Sequence, residues 1–203
     1  MRNSDVFVNC PYDDEYKSSF EALIFTIVAC GYRPRCALEE SDAGDIRFDK
    51  LCRLIAACDQ SVHDLSRIEM SPSGLPRFNM PFELGLTMGA KRFGSKVQRT
   101  KSAAIMVRER FKLPAYLSDL AGNDPEPHHG QPEGVIKIVR RYLHSQPDGR
   151  PVAGATRLNE EFGHFKLRLP GLATKRHLTL AEVDPFKEYR NFLHVLIDDL
   201  KFA

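Results

Sequence analysis

The sequence predicts an α/β protein: a mainly parallel sheet with helices on both faces, followed by a C-terminal helical extension. Two observations carry that prediction. Over roughly the first 145 residues, short runs of strand character alternate with runs whose apolar residues recur at helical spacing, the order that parallel strands joined by crossover helices require. In addition, Ala103-Ala104-Ile105-Met106-Val107 is apolar without a break, which suits a central parallel strand covered from both sides. At 203 residues the chain can bury one full core and carry an appendage, so we divide it into an α/β domain over 1–146 and a linker with helical extension over 147–203.

The elements follow in order. Ser4 to Asn9 is expected as the first strand, ended by Cys10-Pro11. From Asp14 to Cys30 the apolar residues Phe20, Leu23, Ile24, Ile27 and Val28 predict a helix, with Gly31 as its C-terminal cap. Arg35 to Leu38 is expected as the second strand, and a helix from about Asp45 carries Leu51, Leu54 and Ile55 on one face. Gln60 to Leu65 is the third strand, with weak alternation. A loop with Pro72, Gly74 and Pro76 then leads to a helix ending near Phe93. After the Ala103–Val107 strand, Phe111 to Leu120 predicts a short helix, the residues before Pro127 a brief fifth strand, and Gln131 to His144 an amphipathic helix. Gln146 to Pro151 has linker composition, and Pro185 to Leu200 predicts a terminal amphipathic helix through Phe186, Tyr189, Phe192, Leu193, Leu196 and Ile197. That tail is too small for its own core and is expected to pack on the main domain or on a second subunit.

Composition excludes several classes. Lys and Arg number 29 against 27 Asp and Glu, so a net charge of +2 offers no general attraction to nucleic acid or an anionic membrane. The longest apolar stretch, Ala22 to Cys30, is too short to span a bilayer, and the N-terminus lacks a signal pattern, so a cytoplasmic location is expected. Five cysteines without CxxC spacing indicate buried thiols and no zinc site. Neither GxGxxG nor GxxxxGK is present. His128-His129 has no partner at metal-ligand spacing and reads as loop.

The segment Asn79 to Ala90 holds the most informative residue. Asn79 suits an N-cap and Pro81 a first-turn position, which places Glu83 one turn into an apolar helix beside Phe82, Leu84 and Leu86. Gly85 and Gly89 leave a bare stripe along that helix. In an open parallel sheet, ligands bind beyond the carboxyl ends of the strands, and the loops there supply Asn9, Tyr12, Asp13, Arg35, Glu39, Asp42, His63, Asp64 and Ser66. Each also has a structural alternative: His63 as a core histidine, Asp64 as a turn cap, Asp42 and Asp45 as the start of a helix, Arg33 and Arg35 as a solvated strand edge.

The order Asp5-Val6-Phe7-Val8-Asn9 with Asp13, Gly31-Tyr32 and a polar loop, Ile55 through Ser66, then Phe82-Glu83-Leu84-Gly85, resembles a Toll/interleukin-receptor (TIR) domain over roughly residues 4 to 145. It is similar also to the nucleoside 2-deoxyribosyltransferase-like group, whose flavodoxin-like sheet and glutamate-bearing helix are alike. TIR domains usually carry Trp-Cys before the glutamate, whereas this chain has Asn79-Met80-Pro81-Phe82 and no tryptophan, and Gly85 with Gly89 leans towards the transferases. The resemblance implies a flavodoxin-like three-layer fold and cleavage of the N-glycosidic bond of NAD by hydrolysis or cyclisation, with NAD as substrate and no separate cofactor. In a bacterial setting it implies an antiphage role. It also implies Glu83 as the catalytic carboxylate, Ser66 near a TIR serine, and residues 39–45 as the loop that gates the site and mediates assembly; the terminal helix, outside the resemblance, is expected to join that loop in contacts with a second copy or a partner protein. Asp64 is a candidate acid; Asn9, Tyr12, Asp13, Arg35, Asp42 and Phe82 are candidates for holding substrate. Nicotinamide leaves NAD without protonation, while a neutral base leaving a nucleoside needs an acid such as Asp64, Asp13 or His63 in reach. A nucleoside transferase and a non-catalytic nucleotide-sensing or assembly module are the alternatives.

Overall fold

The computed structural model describes residues 4–39, 42–68, 77–110, 115–148, 150–183, 186–187 and 190–193. Strand β1 (Asp5–Asn9), helix α1 (Lys17–Ala29), β2 (Arg33–Arg35), α2 (Arg47–Ala57), β3 (Gln60–Asp64), α3 (Asn79–Phe93), β4 (Ser102–Val107), β5 (Glu126–Pro127), α4 (Pro132–His144) and α5 (Ala155–Lys175) follow one another. The five strands form one parallel sheet in the order β2-β1-β3-β4-β5. Helices cover both faces, giving the three-layer flavodoxin-like α/β fold. Among the described residues, no helix is long and apolar enough to cross a membrane.

Alternation along β1 sorts the core. Val6 and Val8 face α1 and α4, whereas Phe7 turns to the other side and packs with Leu51, Leu54 and Ile55 of α2. Helix α3 lies on that second side, where Met80 and Leu84 pack with Leu65, Ile68 and Val107. Helix α1 ends as predicted on Gly31, which takes φ 79° while the Tyr32 and Gly31 amides donate to Ile27 and Val28, a Schellman closure. Both edge strands carry a proline, Pro34 in β2 and Pro127 in β5, at positions where a missing N–H breaks no central ladder.

Several local expectations are corrected. The second strand is Arg33–Arg35, two residues before the predicted start, and Ala37–Glu39 is a 3₁₀ turn, because Pro34 is tolerated at the sheet edge. Asn79 is the first residue of α3, whose cap residue Phe78 makes no side-chain capping bond. The short helix after β4 is a 3₁₀ segment, Ala115–Gly122, and residues 111–114 lie outside the described ones. The largest omission is α5, 21 residues between the predicted linker and the predicted terminal helix to which no element was assigned. It lies over α1 and α4: Phe25 meets Phe162 and Phe165 with ring centroids 5.3 and 6.1 Å apart, and Lys166 pairs with Glu21. Most of the predicted 185–200 helix lies outside the described residues, but Phe186, Phe192 and Leu193 are buried in the same core.

Candidate active site

A cleft of about 490 Å³ opens between the first turns of α2 and α3, walled by Arg47, Phe48 and Leu51 from one helix and Phe78, Asn79, Phe82 and Glu83 from the other. Its position follows from the fold. Helices α2 and α3 leave β2 and β3 at the carboxyl edge of the sheet, on either side of β1 in the strand order. The Asn9 amide, at the end of β1, donates to the Met80 carbonyl at 2.8 Å and so fixes the first turn of α3 over the sheet. Asn9 also donates to His63 Nδ1 at 2.9 Å, with both side chains buried.

Glu83 lies in this cleft only 6% exposed. Among the described residues its carboxyl has neither a hydrogen-bond nor an ion-pair partner, while its backbone carbonyl accepts from the Thr87 hydroxyl at 3.1 Å. Burial pushes its carboxyl up to about 7, against the opposing pull of the Arg47 guanidinium. Above it, Phe48 and Phe82 stand with ring centroids 6.2 Å apart, each about half exposed, and Phe78 adds a third exposed ring. Aromatic faces, one arginine and a titrating carboxyl therefore share one concavity. Such a site can stack a flat ring, hold an anion and stabilise developing positive charge.

A second polar cluster sits at the same sheet edge but does not line the cleft. The Asp64 carboxylate accepts from the Tyr16 hydroxyl at 2.5 Å, the Ser66 amide at 2.8 Å and the Ser66 hydroxyl, with His128 Nε2 at 3.1 Å. Burial pushes its pKa up, but the His128, Ser66 and Tyr16 bonds outweigh that and hold it below the ordinary carboxylate range. Ser66, His128 and Asp64 are the residue types of a nucleophilic triad, and their geometry is a different one. His128 Nδ1 accepts from the Gly130 amide at 3.0 Å, so the ring proton is assigned to Nε2, which faces both Ser66 and Asp64. The Ser66 hydroxyl then has no imidazole lone pair to take its proton, and all three groups are buried. The cluster instead ties the start of α1, the end of β3 and the end of β5 together. Gly134 is required here, since a β-carbon on it would sit 2.5 Å from the His128 carbonyl oxygen.

The remaining candidates are placed as follows. Tyr12 is partly exposed, directs its hydroxyl to Cys36 and lies within the electrostatic reach of Glu83. Asp13 caps the Tyr16 amide at 3.1 Å and pairs with Arg77 at 2.7 Å. Arg35 is committed to Glu39 and to Asp5, the latter at 2.8 Å, so this guanidinium is already paired. Asp42 is exposed and accepts from the Gly44 amide at 2.8 Å; residues 40 and 41 of that loop lie outside the described ones. Of the nine candidates, Glu83 and Phe82 line the cleft. Sequence reasoning passed over Arg47, Phe48 and Phe78, and also His128, although His128 directly follows β5 and the strand-end rule applied to β1, β2 and β3 would have included it. Among the described residues, no group of three or more His, Cys, Asp or Glu is placed to hold a metal ion. No protein-family profile matches the chain, and no curated protein matches it significantly.

Proposed function

We propose that the protein cleaves the N-glycosidic bond between nicotinamide and ribose in NAD, with Glu83 as the carboxylate that stabilises the ribosyl cation. The supporting observation is a lone, partner-free carboxyl at the floor of an aromatic cleft. In hydrolysis the C1′–N bond breaks with its electron pair going to nicotinamide, which leaves neutral and needs no acid. Water adds to C1′ and loses a proton. Ionised Glu83 accepts from a ribose hydroxyl and offsets the charge on the ring, while the phenylalanines stack the leaving base.

Nucleoside cleavage is less well served. Asp64 is occupied by Tyr16, Ser66 and His128, Asp13 by Arg77 and the α1 cap, and His63 is buried with its Nδ1 bonded to Asn9. Among the described residues lining the cleft, Glu83 is the sole carboxyl. The test is nicotinamide release from NAD, beside base release from deoxynucleosides, over a range of protein concentrations that permits assembly. We expect release from NAD, and a loss of about 10²–10³-fold in Glu83→Gln. Base release from deoxynucleosides in place of NAD cleavage would replace this reading with a transferase or nucleosidase.

A further inference from the structure

Arg47 is the cation of the cleft, where its charge favours the ionised form of Glu83. It opens α2, is exposed, and has no hydrogen bond or ion pair to another described residue. The turn that carries it adds helix-start amides: the cap residue Ile46 supplies no side-chain bond, its own amide donates to Asp45, and the first amides of a helix have no intrahelical acceptor. The one carboxylate in that turn, Asp49, does not line the cleft. Opposite stands Glu83, more than nine-tenths buried, without a partner and open only to the cleft. A ligand that satisfies both walls must offer hydroxyl donors at one end and an anion at the other, joined by a span short enough to fit about 490 Å³.

Resting on the glycosidase reading, we propose that Arg47 and the first turn of α2 hold the 5′-phosphate of the substrate's ribose, so that the site selects phosphorylated ribosyl compounds over free nucleosides. A phosphate next to Arg47 fits the usual preference of both guanidinium and helix start for such anions. It also fixes the ribose so that its ring hydroxyls reach Glu83 and its base lies among Phe48, Phe78 and Phe82.

Nicotinamide mononucleotide and nicotinamide riboside differ by that phosphate alone, and both carry the same pyridinium and release the same neutral nicotinamide. We compare their kcat/KM in wild type, Arg47→Met and Arg47→Lys at pH 8.5, where Glu83 is ionised, and their binding to the same three proteins by calorimetry. Any change in the Glu83 pKa acts on both compounds alike and cancels in the ratio. The expected result is a wild-type preference for the mononucleotide that falls at least tenfold in Arg47→Met, through KM more than kcat, and is partly restored in Arg47→Lys. An unchanged ratio in Arg47→Met, or a wild-type preference for the riboside, overturns the phosphate assignment and leaves the glycosidase reading intact. If neither compound is cleaved, nicotinamide release from NAD decides the glycosidase reading, and calorimetry decides the phosphate assignment: equal binding of the mononucleotide to wild type and Arg47→Met overturns it.

Discussion

Glu83 is costly to ionise where it sits. Its folded pKa of about 7 lies above the ordinary 4.5, so the folded protein keeps a proton that the unfolded chain has already released. Its contribution to stability is therefore fully present below about pH 4.5 and is lost as pH rises through 7, a difference of about 3 kcal/mol. Glu83→Gln removes that loss: we expect denaturant titration to show the variant about 2–3 kcal/mol more stable at pH 8 and equal to wild type at pH 4.5. The same group fixes a kinetic prediction. Because catalysis needs the ionised form, kcat/KM should rise with pH through an apparent pKa near 7, and Arg47→Met should move that limb upward by removing the charge that favours ionisation. How much of this was legible depends on the side chain. Glu83 stood out because a carboxylate among Phe82, Leu84 and Leu86 has no local reason to be there. Asp64, Ser66, Asn9 and Arg35 stood at the predicted sheet edge, but sequence gives no distances, and the four turn to Tyr16 and His128, to Met80 and His63, and to Asp5 and Glu39.

Helices were legible where one periodic face meets the sheet and illegible where helix packs on helix. The whole run from Ser19 to Val28 of α1 is buried, because α5 covers the side that the sheet does not. A helix apolar all round implies a second cover, and that signal was present in Phe20 to Val28. Helix α5 itself was hidden: Leu158, Phe165, Leu169 and Ala173 are spread thinly among charges, and Pro170-Gly171 reads as a break. Ending the chain at Asp148 should therefore leave Phe25 uncovered, and we expect the truncated protein to bind a hydrophobic dye strongly and to lose most of its soluble yield. The glycines of α3 give an opposite result. A β-carbon on Gly85 or Gly89 would meet nothing within 4 Å, so among the described residues none packs on the bare stripe they form. Gly85→Ala and Gly89→Ala should each stabilise the fold by about 0.5–1 kcal/mol in thermal or denaturant unfolding.

Over the whole molecule, two buried groups pull stability in opposite directions with pH. His63 is kept neutral by burial, with its pKa lowered to about 3 from 6.5, so its contribution is present above 6.5 and is lost as pH falls towards 3. Between pH 7 and 4.5 this loss and the gain from Glu83 are both about 3 kcal/mol and nearly cancel. Wild-type stability should accordingly be close to flat across that window and fall steeply below it, where the Asp64 carboxylate, held low by His128, Ser66 and Tyr16, adds its own loss. Glu83→Gln should instead lose stability steadily from about pH 6.5 downward, and parallel denaturant titrations from pH 8 to 3 would show a flat wild-type segment between 7 and 4.5 that is absent from the variant. The strap formed by α5 bears on how the chain is made as well as on how it stands. Glu21 meets Lys166, 145 residues further along. At about 5–20 residues per second, synthesis leaves the outer side of α1 uncovered for roughly seven to thirty seconds. The sheet and its cleft thus emerge from the ribosome before the segment that covers α1, and a nascent chain paused in that interval presents a phenylalanine-bearing stripe to chaperones.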